Sequence, residues 1–312
     1  MNDDDGSAGA SSAASPAGRN ADDLARARRI CALAYVVALV AAAVTVAFAP
    51  IDHPFWKAAA ADVAGTLVIF GFSVAYDNSS FYDAYWSVAP IVIGLWWWGV
   101  PEARGADPTR QILVLALITW WGLRLTYNWL RHWKGLHHED WRYAGFRRTT
   151  GKGYWIVSFL GFHFFPTVQV FAAMAAAYAA MVVGTRPLNW VDGVATLVTA
   201  GAVLVEAVAD RQLHEFARHN DDPDRVLDTG LWAYSRHPNY FGEIAFWWGL
   251  FIFAFAAAPE AWWASIGAIA ITVMFRLISV PLIETRMLEK RPHYRAHQTR
   301  ISMIIPWFPR RS

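Results

Sequence analysis

Long apolar runs separated by short polar segments make up the sequence from about residue 30 onward. A helix needs about 20 mostly apolar residues to cross the hydrocarbon core of a bilayer. This pattern predicts an all-α, polytopic membrane protein with about eight transmembrane helices. The predicted spans are roughly 30–49, 58–76, 84–101, 111–130, 154–183, 190–209, 240–258 and 261–283.

The fifth run, 154–183, is long and contains Pro166, so it could form one kinked helix or two short ones. Counted as one helix, it leaves both termini on the same side of the membrane. With that side taken as the cytosol, 21 of the 27 Lys and Arg residues lie in cytosolic segments or before the first span. This asymmetry is typical of cytosolic loops, and splitting the run would destroy it. We therefore expect one helix, with the N- and C-termini in the cytosol.

The composition agrees with an integral membrane protein. Only 17% of the residues are charged, whereas soluble proteins carry about 25%. The 18 Trp residues exceed what a soluble core needs, and Trp concentrates at membrane interfaces. Cys31 is the only cysteine, which excludes an intramolecular disulfide and Cys-ligated zinc.

The first 22 residues are rich in Gly, Ala and Ser and acidic at the start. They lack an apolar segment after a basic one, so they do not form a signal peptide. We expect residues 1–22 to be a disordered tail. Residues 23–312 then form one helical membrane domain.

Polar chemistry collects where the sixth span meets the cytosol. Glu206, Asp210, His214 and Arg218 follow one another at i, i+4 spacing and so share one helix face. A solvated helix end with intrahelical ion pairs would also explain this pattern, without any binding or catalytic site. Ionisable residues at the edge of a membrane helix are costly, however, and mark functional sites by default.

A second polar cluster lies at the start of the seventh span, where Pro238 suits the first helical position. Taken singly, its basic residues could anchor to lipid phosphates, and its acid could serve the helix dipole. Their density instead predicts a shaped polar pocket. The residues concerned are Tyr234, Arg236, His237, Asn239, Tyr240 and Glu243.

The end of the last span and the segment after it are basic, which suits either phosphate binding or contact with anionic lipid. The relevant residues are Arg276, Arg286, Arg291, Arg295 and Arg300. The loop containing "HHED", residues 137–140, lacks the HExxH spacing, so we expect no metal site and interpret the loop as a lid or a cofactor contact. No GxGxxG, Walker or GxSxG motif occurs, so a nucleotide cofactor would need a pocket between membrane helices.

The stretch "GLWAYSRHPNYFGE", Gly230–Glu243, resembles the C-terminal signature of membrane steroid 5-alpha-reductase-like enzymes and of sterol reductases. Residues 190–308 are most similar to the bacterial branch known as DUF1295, whose chains end in a comparable "ML..RP.Y....R.S..IP" pattern. Isoprenylcysteine carboxyl methyltransferases and phospholipid methyltransferases share the wider RHPxYxG theme but bind S-adenosylmethionine. They usually lack the acid after the glycine, which here is Glu243.

The resemblance implies NADPH bound between the cytosolic ends of the last helices. Asp210, Arg225, Asn239 and Glu243 match the cofactor contacts of the reductases, whereas Arg218 stands one position off the family's basic residue. The full expected cofactor set is Glu206, Asp210, His214, Arg218, Arg225, Tyr234, Arg236, His237, Asn239, Tyr240, Glu243, Arg276, Arg286 and Tyr294.

The reductase family transfers a hydride to an enone while a Tyr–Glu pair polarises the carbonyl. This sequence has no unambiguous Glu for that role in spans two to four. The candidates that remain for catalysis are Asp83 and Tyr127, with Arg124 alongside. An interfacial anchoring role is the alternative for Tyr127.

We therefore expect a bacterial inner-membrane enzyme whose active site faces the cytosol. Its reaction would be the NADPH-dependent reduction of a conjugated C=C bond in a lipophilic substrate (steroid-like, isoprenoid or fatty) that enters from the bilayer. Membrane lipids are its expected surroundings, and no nucleic acid is an expected partner. The alternatives are an S-adenosylmethionine-dependent lipid or prenylcysteine methyltransferase on the same scaffold, and a lipid-binding or structural membrane protein.

Overall fold

The computed structural model describes residues 16–310, and within that range the chain forms nine helices and no strand. An isolated bridge between Ser235 and Ser302 is the only β-type pairing there. The helices are α1 Pro16–Phe48, α2 Pro54–Ala75, α3 Tyr85–Gly99, α4 Pro108–His132, α5 Trp141–Val183, α6 Trp190–His219, α7 Pro238–Ala257, α8 Trp262–Lys290 and α9 Tyr294–Arg300.

Six of these helices are long and apolar enough to cross a membrane, namely α1, α2, α5, α6, α7 and α8. The all-α membrane fold predicted from the hydropathy pattern is therefore confirmed. The other two predicted spans correspond to α3 and α4. Helix α3 has only 15 residues, or about 22 Å at 1.5 Å per residue, which is shorter than the hydrocarbon core. Helix α4 has 25 residues, but it carries Arg110, Arg124 and Arg131 along its length.

The predicted disordered tail needs a correction at its C-terminal end. Helix α1 begins at Pro16, so residues 16–22 are helical and continuous with the first span. A proline suits the first turn of a helix, and the Ala, Leu and Arg residues that follow have high helix propensity. Residues 1–15 of the predicted tail lie outside the described residues.

Within α5 the backbone turns at Gly151, where φ is 52°, after the first helical part Trp141–Thr150. From Tyr154 to Val183 the helix runs without a break, which agrees with the one-helix interpretation of the fifth run. A π-helical segment, Ser158–Phe164, comes directly before Pro166. Because proline has no N–H to donate, a wider turn here accommodates the interrupted hydrogen-bond ladder. The same arrangement recurs in α8, where the π-segment Phe275–Ser279 precedes Pro281.

Glycines allow neighbouring helices to pack closely. A Cβ atom added at Gly242 of α7 would lie 2.8 Å from the carbonyl oxygen of Ala202 in α6. One added at Gly249 would lie 2.2 Å from Oγ1 of Thr199. Small residues at membrane helix interfaces let backbones approach in this way. The tight α6–α7 contact brings the polar residues of these two helices together.

The helices alternate in direction, so the bundle has two ends. At one end a buried ion pair joins the starts of α4 and α6, with Arg110 Nε 2.7 Å from Asp192 Oδ1. The other end, called here the polar end, holds the starts of α1, α5 and α7 and the ends of α4, α6 and α8. There Arg28 Nη2 donates to the carbonyl oxygen of Leu130 at 3.3 Å. The N-terminal start of α1 and the C-terminal segment both lie at this polar end, as the same-side prediction requires.

Candidate functional site

Polar side chains of three helices, α4, α6 and α7, form a cluster at the polar end. Arg124 Nη1 of α4 donates to Asp210 Oδ2 of α6 at 3.0 Å. Asn239 Nδ2 of α7 contacts the other oxygen, Oδ1, at 3.4 Å, and Asn128 Nδ2 reaches Oδ2 at 3.3 Å. Asp210 is thus the point at which α4, α6 and α7 meet. We call Arg124, Glu206, Asp210, Asn239 and Glu243 the polar-end cluster.

Glu206 lies one helical turn before Asp210 and is buried. Arg124 Nη2 is 2.6 Å from Glu206 Oε2, but no N–H of the guanidinium points along that line, so neither atom has an aligned hydrogen bond. The contact is therefore an attraction between charges. Arg124 Nε is also buried and has no hydrogen-bond partner among the described residues. The Arg124 guanidinium thus contacts the carboxylates of both Glu206 and Asp210, and its Nε–H has no hydrogen-bond acceptor among the described residues.

Glu243 is buried beside this pair, and both of its oxygens accept hydrogen bonds from indoles. Trp121 Nε1 donates to Oε2 at 2.9 Å, and Trp247 Nε1 donates to Oε1 at 2.8 Å. The helix-dipole explanation considered for this acid is therefore incomplete, because two specific donors hold it. Glu243 is therefore the member of the cluster whose position is fixed by two indole hydrogen bonds.

Arg236 and His237, expected in the cofactor set, bind the end of the chain instead. Arg236 Nε lies 2.7 Å from Glu284 Oε1 of α8, and its Nη1 donates to the carbonyl oxygens of Gln298 and Ile301. His237 Nε2 lies 3.1 Å from the same Oε1 atom of Glu284. All these groups are buried, and together they hold the C-terminal segment against the start of α7.

Three further expected residues lie in stacked or buried positions near these groups. His214 stacks on His132 with ring centroids 4.0 Å apart. Tyr240 lies parallel to His237 at 5.5 Å. Tyr294 is buried at the start of α9.

The remaining expected cofactor residues lie around the rim of the polar end. Arg218 and Arg276 are exposed. Arg225 is also exposed, with its guanidinium over the ring of Phe216 at 5.7 Å. Arg286 lies over the ring of Trp141 at 3.9 Å, and Tyr234 is half-exposed. None of these five side chains forms a hydrogen bond or an ion pair with the polar-end cluster in the part of the chain that the structure describes.

Residues 69–301 match the family model described as "Protein of unknown function (DUF1295)". The chain belongs to the DUF1295 family. This confirms the resemblance of residues 190–308 to that branch, and the matched range includes every expected site residue from Asp83 to Tyr294. A relative from Schizosaccharomyces pombe, named as an uncharacterized protein, is 26% identical over 263 residues, covering 77% of this chain and 76% of the relative. No solved structure matches.

In this DUF1295 protein the two expected catalytic residues do not meet. Tyr127 is 64% exposed on the outer side of α4. Asp83 instead accepts a hydrogen bond from Tyr143 Oη of α5, at 2.5 Å from its Oδ1 atom. Burial raises the pKa of Asp83 to about 6, although the Tyr143 hydroxyl and the nearby Arg142 both act to lower it. The tyrosine that pairs with the acid is therefore Tyr143.

The partnership of Asp83 with Tyr143 could not be found from local sequence, because 60 residues separate the two. The available signal was that Tyr143 belongs to the polar loop predicted to share a side of the membrane with Asp83. Neither span periodicity nor motif spacing specifies which tyrosine of that side contacts the acid.

The loop containing "HHED" of this DUF1295 chain is fastened to the segment between α2 and α3. Glu139 Oε1 accepts from the backbone N–H of Ser79 at 2.8 Å and from Arg147 Nη2 at 3.1 Å. Asn78 Nδ2 donates to the carbonyl oxygen of Leu136 at 2.7 Å. These bonds show that the loop has a structural role. The lid or cofactor role expected from the sequence stays a prediction.

Proposed function

We propose that this DUF1295 protein is an NADPH-dependent reductase of a conjugated C=C bond in a lipophilic substrate. The observation that carries the proposal is the meeting of Arg124, Asp210 and Asn239, from three different helices, above the buried acid Glu206. We place the protein in the bacterial inner membrane, with the polar end in the cytosol. The anionic cofactor then arrives from water, while an isoprenoid, steroid-like or fatty substrate arrives from the bilayer.

The side chains of the polar end fit such a cofactor chemically. The Asn239 amide can both donate to and accept from a carboxamide, and the Asp210 carboxylate can accept from ribose hydroxyls. Arg124 Nε is a buried donor without a partner among the described residues, which a bound oxygen atom would satisfy. On the rim, Arg218, Arg225 and Arg286 supply positive charge suited to phosphates.

Asp83 and Tyr143 are the groups that we propose for the proton side of the reaction, because their side chains are in hydrogen-bond contact. NADPH, when bound, supplies the hydride that adds to one carbon of the double bond. Once Asp83 is protonated, its carboxyl O–H can donate to the Tyr143 oxygen, which frees the Tyr143 O–H to give the hydrogen bond or proton that a developing enolate oxygen requires. As the enolate returns to the carbonyl form, the second carbon takes up a proton that comes from water, so that the C=C bond becomes CH–CH. The contact supports Tyr143 in this role in place of Tyr127, whose side chain is largely exposed on the outside of α4.

A thermal-shift titration of the detergent-purified protein with NADPH, NADH and S-adenosylmethionine tests the proposal. A ligand that binds the folded protein at 100 times its Kd stabilises it by about 2.7 kcal/mol. We expect a shift with NADPH, and we expect Asn239→Ala to abolish it. Asn220→Ala, which removes an amide at the end of α6 that bonds to Asp222, is the matched control and should keep the shift.

Stabilisation by S-adenosylmethionine alone would contradict the reductase proposal and favour the methyltransferase. If NADPH stabilises both Asn variants equally, the protein binds NADPH, but the assignment of Asn239 to the binding site is wrong.

A further inference from the structure

A cavity of about 360 Å³ lies between α1, α2 and α3, away from the sites described above. Alanines of all three helices create the space, because their short side chains leave a gap that larger residues would fill. They include Ala38, Ala42, Ala58, Ala61 and Ala89. At the mouth, Leu39 of α1 is 51% exposed on the outer surface of the bundle, where lipid chains would contact it.

Asp62 is the only ionisable carboxyl group that lines this cavity. It is 7% exposed, and Tyr85 beside it is 8% exposed. The Tyr85 hydroxyl donates to Asp62 Oδ1 at 3.1 Å. No basic side chain of the described chain forms an ion pair with Asp62, and its second oxygen, Oδ2, has no hydrogen bond to any described residue.

The surroundings of Asp62 are apolar on both sides of α2. A second cavity of about 560 Å³, lined by Phe55, Phe171 and Ile266 among others, also reaches Asp62. A carboxyl group at this depth in a membrane helix is costly to bury and marks a functional site by default.

The cavity is separated from the polar-end cluster by α3. Trp86 of α3 packs against Trp121 of α4, with ring centroids 5.6 Å apart, and Ser87 Oγ lies 2.9 Å from Thr126 Oγ1 of α4. Residues Tyr85, Ala89 and Ile93 of the same helix line the cavity. The two sites therefore lie on different faces of α3.

We propose that this cavity binds a lipophilic molecule with a terminal hydroxyl group, taken up from the bilayer and anchored by Asp62. Its volume falls within the usual range of ligand pockets, about 300–1,000 Å³. A hydroxyl group suits the anchor because it can donate to a carboxylate and accept from a protonated acid, whereas a ketone or an ammonium group matches only one of these forms. The proposal rests on the cavity and Asp62, so it is independent of the cofactor.

The test uses the wild-type protein in lipid nanodiscs with a photoactivatable 12-carbon alcohol. At about 30 Å³ per water-sized group, the cavity has room for roughly twelve such groups. We expect cross-links in the peptides that contain Ala38–Ala47, Ala58–Asp62 or Tyr85–Trp96. Dodecan-1-ol should compete for this labelling and dodecane should not. Equal competition by the alkane, or labelling confined to other peptides, would overturn the proposal.

Two variant pairs locate the site. Ala42→Phe fills the cavity and should remove the labelling, whereas Val40→Phe adds the same ring two residues away on the exposed surface of α1 and should keep it.

Asp62→Leu keeps an apolar cavity and should weaken dodecan-1-ol binding about tenfold or more, the effect of losing a hydrogen bond to a charged or buried group. Asp62→Asn, which retains hydrogen bonding, should bind more tightly than Asp62→Leu. Labelling of Ala42→Phe at the wild-type level, or equal affinity of the two Asp62 variants, would show that the cavity and its carboxyl group do not bind the alcohol.

Discussion

Arg236 and Glu284 form a buried two-point ion pair, with Nε 2.7 Å from Oε1 and Nη2 3.3 Å from Oε2. The pair joins the segment before α7 to α8, and Arg236 also binds two carbonyl oxygens of the C-terminal segment. The first residue of the RHP motif therefore stabilises the fold around the site.

Arg236→Ala should lower the free energy of unfolding by about 3–5 kcal/mol, because it leaves Glu284 buried without its cation. Arg218→Ala removes an exposed guanidinium from the same end of the bundle and should change that free energy by less than about 0.5 kcal/mol. Thermal unfolding of both variants in detergent measures the difference. Similar melting temperatures for the two would show that the buried pair contributes little.

Gly242→Ala should destabilise the protein by about 1–3 kcal/mol, because the added methyl group overlaps backbone atoms of α6 that cannot move aside. Gly201→Ala in α6 is the matched control, since a Cβ atom there meets nothing within 4 Å. Alanine has a higher helix propensity than glycine by about 1 kcal/mol, so the control should be neutral or stabilising. The two substitutions should thus move the melting temperature in opposite directions. A shift of the same sign in both would argue against the close α6–α7 contact.

Glu243→Gln should destabilise the protein even though it removes a buried charge. Both oxygens of Glu243 accept hydrogen bonds from indole N–H groups. In glutamine an NH₂ group replaces one of these oxygens, so the N–H of one tryptophan would face a donor instead of an acceptor. The expected loss is about 1–3 kcal/mol, the cost of one unsatisfied buried donor. Glu215→Gln, at an exposed position of α6, is the control for the chemical change alone. Indole fluorescence during thermal unfolding measures the stability of both variants. If Glu243→Gln is as stable as its control, the two indole hydrogen bonds do not contribute to the stability of the protein.

The stability of the protein should fall as the pH rises through about 6, because of Asp83. Its pKa is raised from 3.8 to about 6 by burial, so between these values the folded state holds a proton that the unfolded state releases. Protonation therefore favours folding at the lower pH, and this contribution is lost above the folded pKa. Melting temperatures measured from pH 4 to 7 should show this fall in the wild type and a smaller one in Asp83→Asn.

The Tyr143 hydroxyl lowers the pKa of Asp83 against the effect of burial. Tyr143→Phe should therefore move the fall in stability to a higher pH. Identical pH profiles for the wild type, Asp83→Asn and Tyr143→Phe would rule out a coupled Asp83–Tyr143 pair.

The sequence by itself determined the membrane class, the positions of the apolar helices and the end of the bundle at which the polar residues collect. These properties follow from local hydropathy and from the 3.6-residue helical period, which can be read along a single segment. Residues 190–308, with their C-terminal pattern, also contained enough family signature to indicate DUF1295. The i, i+4 series from Glu206 correctly placed Glu206 and Asp210 on one face, and both lie in the polar-end cluster.

Only the tertiary structure decided which partner each polar residue meets. Helical periodicity defines the face on which a side chain lies, but it contains no information about the helix that packs against that face. Arg236 therefore meets Glu284, 48 residues away, Asp83 meets Tyr143, 60 residues away, and Glu243 meets Trp121 across 122 residues. Asp62 illustrates the same limit, because a single acid in an apolar run became a candidate binding site only when three helices enclosed a cavity beside it.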